Sequence, residues 1–450
     1  MRRIGKFQLL GLLGRGGMGR VYKVMDTEQK RLRAMKILRP SEIMQDLIGC
    51  DELKKLFFKE ASIMNQLRQR HVTDVFEVGE HEGLPYMVQE YLCLNLGLLI
   101  GESNRVELPT RPLSPVKALI IVSQILDALS GLHESGLVHR DIKPENVMLS
   151  REGEVKIIDF GLSRFTDRKE QNPVGMIIGS PYYAAPEQID SPEQADHRAD
   201  IYSAGVVLYR LVTGTLPDEK TSAVSENPLL GPGWSFLLKK ALTANPADRF
   251  PDALTMRQMV QELKLDWEKR QEQICSIPGV KKEFFSRQDW QPRSKPVHTG
   301  KNDSAVLGNL NSLMQPEIYT DNKFQRTDQG ILDHATRLMW SNDASREQLN
   351  LEESQIYLLK LNQRELPDEQ INLWRLPTVE ELLSLLGPRQ SLEDFCGSDL
   401  WQLKDRSWLW SADILTSTKS WIVDMDQGAV LAQDRMCRFH VLPVRQATCV

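Results

Sequence analysis

The stretch His139-Arg140-Asp141-Ile142-Lys143-Pro144-Glu145-Asn146, followed by Asp159-Phe160-Gly161, decides how the rest of the chain is read. As chemistry it describes a site for moving a phosphoryl group. Asp141 offers a carboxylate to an attacking hydroxyl. Lys143, two residues on, brings a compact positive charge to a transferred phosphate. Asn146 and Asp159 supply oxygen ligands of the kind Mg²⁺ prefers. Between them, Asn146-Val147-Met148-Leu149 and Val155-Lys156-Ile157-Ile158 read as two short strands turning at Glu152-Gly153. Such a hairpin puts both candidate metal ligands at one mouth. A polar loop on an unrelated fold is the plain alternative, and two mechanistic motifs in this order and spacing argue against it.

Size and composition set the frame. With 450 residues the chain has room for two or three domains, and its 41% apolar and 26% charged residues are those of an ordinary globular protein. A net charge of −5 gives no reason to expect a nucleic-acid partner. No apolar run reaches about 18 residues, so no transmembrane segment is expected. The basic start, Met1 to Lys6, is not followed by the apolar core of a signal peptide. The six cysteines are scattered and form no Cys-x-x-Cys. Free thiols in a reduced, cytoplasmic chain without structural zinc are the simplest account.

The opening motifs closely resemble the catalytic and metal-binding loops of eukaryotic-like (Hanks-type) protein kinases. The Lys-Pro-Glu-Asn ending is the serine/threonine form. The resemblance covers about residues 5–265 and implies a bilobal α+β fold, an N-lobe over about 5–91 and a C-lobe over about 92–265. Upstream, Leu13-Gly14-Arg15-Gly16-Gly17-Met18-Gly19-Arg20-Val21-Tyr22 is by itself a weak signal that would also suit a dinucleotide fingerprint. Here Val21 to Val24 continue as a strand, so the glycines turn a hairpin. Glycine lets backbone N–H groups approach a phosphate closely. The resemblance then implies that Gly14, Gly16 and Gly19 cradle the phosphates of ATP and that Val21 covers the adenine.

Leu32 to Leu38 reads as the next strand, where Ala34 leaves room for the base and Lys36 reaches the α- and β-phosphates. Apolar spacing predicts a helix over 46–69. Within it Glu60, preferred to Glu52 for its place before the His71-Val72 turn, is the expected partner of Lys36. Tyr86 to Leu92 reads as a buried strand entering a linker. By resemblance Gln89 guards the rear pocket, and the backbone of Glu90 and Leu92 meets the adenine edge. Residues 115–135 form an apolar core helix that delivers the chain to His139, and Met148 floors the adenine site.

The remaining kinase markers are structural or regulatory. By resemblance Asp200 would cap the catalytic-loop backbone, and Arg249 would pair with Glu187 of Ala185-Pro186-Glu187. Ser180 lies in the turn that holds the acceptor. In kinases an arginine at the place of Arg140 often pairs with an anion in the activation segment. Ser163, Thr166 and Ser180 are the candidate hydroxyls, and Glu170 is the one acid from Arg168 to Gly179. Weak dependence on phosphorylation is expected, with Thr166 as the autophosphorylation site.

Beyond the kinase-like region, residues 253–275 continue as a charged helix. Pro278, Pro292, Pro296 and Pro316 mark 276–320 as a loop or linker. The boundary region is thus a helical extension and linker over 266–320. From Phe324 the composition changes, with tryptophans at 340, 374, 401, 408, 410 and 421. Gly330-Ile331-Leu332-Asp333-His334-Ala335-Thr336-Arg337-Leu338-Met339-Trp340 and Trp374-Arg375-Leu376-Pro377-Thr378-Val379-Glu380-Glu381-Leu382 are its distinctive stretches. The series resembles the Lcl C-terminal domain over about 321–447. More remotely it is similar to formylglycine-generating-enzyme and C-type-lectin-like folds. Trp374, Arg375 and Glu381 suit a loop-rich core better than a ligand contact. Cys396, Cys437 and Cys449 do not form the oxidase constellation, and no acidic spacing compels Ca²⁺.

The expectation is therefore a serine/threonine kinase using ATP and Mg²⁺ on protein hydroxyls. A smaller loop-rich α+β module would bind a ligand or partner that the sequence does not name. The competing reading is a nucleotide-sensing scaffold whose C-terminal domain carries the function.

Overall fold

The computed structural model describes residues 3–16, 19–67, 69–159, 164–165, 181–191, 195–218, 223–227, 230–274, 291–300, 304–308, 310–365, 372–387, 401 and 407–447. The chain divides into two compact units, Met1–Ser276 and Ile277–Val450.

The first unit opens with β1 (Arg3–Ile4), β2 (Phe7–Arg15), β3 (Gly19–Asp26), β4 (Arg31–Leu38), β5 (Val75–His81) and β6 (Leu84–Glu90). They form one antiparallel sheet in the order β1-β2-β3-β4-β6-β5. Alternating apolar residues close its core around Phe7, Val24, Met35, Ile37 and Val88. The helix expected over 46–69 is two helices, α1 (Glu42–Ile48) and α2 (Cys50–Gln66). Gly49 stands between them at φ 85°, a conformation that ends a helix and that glycine adopts without strain. Apolar periodicity runs through that break, which is why it did not show in the pattern.

The second lobe is helical. After β7 (Leu94–Asn95) and α3 (Leu96–Ile100) comes α4 (Pro115–Glu134), started by a Ser114 cap on the Lys117 N–H with Pro115 in the first turn. On length and apolarity alone α4 passes the test for a membrane-crossing helix, a test that a buried core helix also passes. Its apolarity is accounted for inside the lobe, where 10 of its 20 residues are buried. It packs there against α6 (Arg198–Thr213) and α9 (Ala253–Ile274). Between α4 and α6 lie β8 (Leu137–Val138), β9 (Val147–Leu149), β10 (Val155–Ile157), β11 (Arg164–Phe165) and α5 (Pro186–Asp190). The short helices α7 (Ala223–Glu226) and α8 (Pro232–Ala241) precede α9.

The second unit holds two antiparallel sheets. One orders β12 (Phe324–Thr327), β13 (Gly330–Asp333), β14 (Leu338–Trp340) and β18 (Val444–Gln446). The other orders β15 (Trp408–Ile414), β16 (Lys419–Asp424) and β17 (Ala429–Asp434). The helices α10 (Leu351–Glu365) and α11 (Val379–Ser384) complete it. Trp340, Trp401 and Trp421 lie in a shared core with Leu382, Val423 and Val444.

Residues 291–300 and much of 304–320, expected as linker, belong to this unit. Val297 donates to Asp413 Oδ1 at 2.8 Å, Thr299 donates its N–H to the Ile414 carbonyl at 2.9 Å, and Leu307 is fully buried. Their proline and polar content supplied no core signal because backbone and ion-pair bonds, rather than apolar periodicity, hold most of them. The Arg293 guanidinium bonds Asp413 at 2.9 and 3.2 Å and also reaches Glu380.

The thiols also differ from expectation. Cys50 is free and exposed, whereas Cys93 of the first unit and Cys437 of the second each take part in a disulfide. Spacing along a chain carries no information about which thiols meet in space.

Because each unit has its own core, residues 1–276 expressed alone are expected to be soluble and to unfold in one cooperative transition. Near-ultraviolet circular dichroism with a urea titration checks this. A molten fragment beside a well-folded full chain would mean that the second unit completes the first.

Candidate active site

Each group in the cleft is placed by a short local element. β9 and β10 pair with Val147 opposite Ile157 and Leu149 opposite Val155, and the Ile158 N–H closes the hairpin on the Asn146 carbonyl at 3.0 Å. Asn146 and Asp159 therefore stand at its open end. Asn146 ends a single 3-10 turn, Pro144–Asn146, and its Nδ2 donates to the Asp141 carbonyl at 2.8 Å and to Asp141 Oδ2 at 2.9 Å. Lys143 Nζ reaches the same Oδ2 at 3.0 Å. Asp141, Lys143 and Asn146 thus form one bonded cluster, with the Asp141 carboxylate held from two sides.

The catalytic-loop backbone hangs on a buried aspartate. Asp200, in the first turn of α6, is fully buried. It accepts the N–H groups of His139 at 2.9 Å and Arg140 at 2.7 Å, and it is bonded to the His133 ring at 2.8 Å. Burial pushes its carboxyl up, but the His133 bond, the histidine charges and the Arg140 amide together hold it below the usual aspartate value. Arg140 and Asp159 both adopt positive φ, at 66° and 64°. For non-glycine residues this conformation is uncommon and is held by its surroundings. Neither His133 nor Gln188 stood out in the sequence. Gln188 donates to the Arg140 carbonyl at 2.9 Å and accepts the Ala185 N–H at 3.1 Å, tying α5 to the loop. Glu187 takes both Nη atoms of Arg249, at 2.6 and 2.7 Å. The Arg140 guanidinium donates to the Ala195 carbonyl.

On the sheet side, Lys36 of β4 lies 3.3 Å from Glu60 of α2 and 2.7 Å from Asp159 Oδ1. The structure brings Glu60, not Glu52, to this lysine, and Glu52 pairs with Lys55 at the surface. Burial alone would lower the Lys36 ammonium, but Asp159 and Glu60 outweigh it and raise it above the lysine range. Burial in turn pushes Glu60 up, opposed by Lys36.

The glycine hairpin pairs Gly14 with Val21 and Arg15 with Arg20. A Cβ at Gly14 or Gly16 would meet open space, whereas one at Gly19 would lie 2.3 Å from the Ile37 carbonyl oxygen. Gly19 is thus required by the close approach of β3 to β4, a reason the motif alone did not supply. Val21, Ala34, Leu92 and Met148 are all half-buried. The Glu90 N–H donates to the Asp74 carbonyl at 3.2 Å, so of its backbone only the carbonyl can meet an adenine. Gln89 is buried, with its Nε2 3.8 Å from Met64 Sδ. Phe160, Gly161, Ser163, Thr166, Glu170 and Ser180 lie outside the described residues.

Residues 7–261 match the family model of the protein kinase domain. The chain belongs to the protein kinase family. Residues 329–445 match the Lcl C-terminal domain. The chain is 34% identical over 271 residues to the serine/threonine-protein kinase pkn3 of Myxococcus xanthus, covering 54% of this chain and 47% of that protein. It is 36% identical over 276 residues to PksC of Streptomyces coelicolor, covering 56% of this chain and 48% of that protein. It is 29% identical over 307 residues to PrkC of Bacillus subtilis, covering 63% and 46%. The chain spans about half the length of the curated relatives it matches. Protein kinases use ATP with a divalent metal.

No group of three or more histidine, cysteine or acidic side chains able to hold a metal occurs among the described residues. A hard divalent cation at a nucleotide site is held by one or two protein oxygens together with the phosphates. Asn146 and Asp159, at the open end of one hairpin, present side-chain oxygens of that kind.

In the second unit, the Glu381 carboxylate is fully buried. It accepts Arg375 at 2.6 and 2.8 Å and the Thr378 N–H at 2.9 Å, while the Thr378 Oγ1 caps the Glu381 N–H. The Arg445 guanidinium stacks over Trp374 at 4.9 Å. These residues serve the core.

Proposed function

We propose that the chain is a serine/threonine protein kinase that transfers the γ-phosphate of ATP to protein hydroxyls. The observation that carries this reading is the bonded cluster of Asp141, Lys143 and Asn146 in one cleft with the Lys36–Asp159–Glu60 line. Asp141 accepts the proton of the incoming hydroxyl. Lys143, bonded to the same carboxylate, offers its charge to the transferring phosphoryl group. Lys36, kept charged by two carboxylates, binds the nucleotide phosphates. Gly14, Gly16 and Gly19 form the loop above them. Val21, Ala34 and Met148 sandwich the adenine, and the Glu90 and Leu92 backbone binds its edge. Asn146 and Asp159 would hold Mg²⁺, which when bound compensates phosphate charge. The requirement for ATP puts this unit in the cytoplasm, and residues 329–445 serve as a ligand- or partner-binding module.

The test is incubation of the purified chain with γ-labelled ATP and Mg²⁺, followed by mapping of phosphoserine and phosphothreonine by mass spectrometry. Transfer to serine or threonine is expected. ATP binding without transfer to itself or to any added protein would favour the nucleotide-sensing scaffold.

A further inference from the structure

The loop between α3 and α4 approaches the turn at residues 181–185 through acidic side chains. Glu102 and Glu107 of this loop are bonded to the hydroxyls of Tyr183 and Tyr182 respectively, Tyr183 at 2.5 Å. The two contacts differ in setting. Tyr182 and Glu107 are at the surface, whereas Tyr183 is 3% exposed and the Glu102 side chain 5%. Beneath them lies Arg210 of α6, a fully buried guanidinium whose Nε is 3.1 Å from Glu102 Oε1.

A charge at zero exposure has to be compensated, and Glu102 is the carboxylate within reach. Arg210 also donates Nη2 to the carbonyls of Val106 at 2.7 Å and Leu108 at 3.1 Å, so it fixes the loop that carries Glu102. Burial pushes Glu102 up while Tyr183 and Arg210 pull it down. The backbone of Tyr183 is anchored as well, since its carbonyl accepts Ser203 Oγ of α6 at 2.8 Å. Glu102 also lies within the electrostatic reach of Lys143 and Glu145 of the catalytic loop.

We infer that Glu102, locked in place by Arg210, is a positioning residue that holds the 181–185 turn through Tyr183 so that an acceptor hydroxyl can dock beside Asp141. The inference rests on the kinase reading. It separates acceptor docking from nucleotide binding, because none of the three side chains bonds to Lys36, Asn146 or Asp159. It also makes the tyrosine hydroxyl and the glutamate carboxylate one unit rather than two independent contributions.

The experiment compares the full chain with Tyr183→Phe, Glu102→Gln and the double variant, using a serine-containing peptide and ATP as varied substrates. Tyr183→Phe is expected to raise KM for the peptide about tenfold, the size of one lost charge-assisted hydrogen bond. The KM for ATP should change less than twofold. The double variant should be no worse than the poorer single one, because both changes act on the one Tyr183–Glu102 bond. An unchanged peptide KM in both single variants overturns the inference. So does a parallel loss of ATP binding and thermal midpoint, which would mark the cluster as structural only. If Tyr183→Phe does not fold, Glu102→Gln, which keeps the shape of the side chain but removes the charge that Tyr183 and Arg210 share, decides by the same two KM values. A wild-type chain that binds ATP but phosphorylates neither peptide nor itself overturns the kinase reading, and this inference with it.

Discussion

Asp141→Asn is expected to lower phosphoryl transfer by about 10²–10⁴-fold, the range for loss of a general base, while ATP still binds. The substitution keeps the size of the side chain and one oxygen. It removes the charge that Lys143 meets at 3.0 Å and the basicity that an incoming hydroxyl needs. Lys36, Glu60 and Asp159 are untouched, so the nucleotide side of the cleft keeps its 2.7 and 3.3 Å contacts. Single-turnover rates measured alongside calorimetric titration with ATP separate the two effects. Full activity in a folded Asp141→Asn variant would show that the assignment of the base is wrong. An equal loss of ATP affinity would show that Asp141 shapes the cleft rather than the chemistry.

The second large effect is expected in stability. Asp200→Ala strips the acceptor from two catalytic-loop N–H groups and from the His133 ring, all in a fully buried setting. Removing one partner of a buried charged network costs about 3–5 kcal/mol. The Asp200→Ala variant should therefore unfold at a markedly lower denaturant midpoint and lose activity with it. The pH dependence has a definite sign. Asp200 has a folded value depressed below the ordinary 3.8. Its contribution is complete above that ordinary value and is lost as the pH falls through the depressed one. Wild type should then lose stability on acidification more steeply than the alanine variant, in urea melts stepped downward from pH 5. Equal slopes would mean that Asp200 is not a source of the acid sensitivity.

How much of this was legible before the fold was known depended on whether a residue's role is local. The hairpin between Asn146 and Asp159 could be read from a strand, a turn and a strand within fifteen residues, because short-range turn chemistry and alternation specify it. Lys36 and Glu60 could be proposed because each sits in a periodic element with a defined face. The break at Gly49 was hidden because its apolar neighbours keep helical spacing on both sides. The docking of residues 291–300 was hidden for the opposite reason. Arg293 is held by Asp413 and Glu380, and a polar, proline-containing segment held by ion pairs looks the same in sequence as one held by nothing. Glu102 and Arg210 meet only because the α3–α4 loop is folded back onto α6, and neither residue carries a local mark of its partner.

Gly19 bears on how a mutational survey of the nucleotide loop should be interpreted. At Gly14 and Gly16 an added methyl group enters open space, so alanine variants there report on the ligand. At Gly19 the same methyl would lie 2.3 Å from the Ile37 oxygen, and two strands would have to separate to admit it. Three glycines that look interchangeable along the chain would then give two kinds of phenotype. Those at 14 and 16 would be recovered by raising the nucleotide concentration. The defect at 19 would respond instead to lower temperature or a stabilising osmolyte.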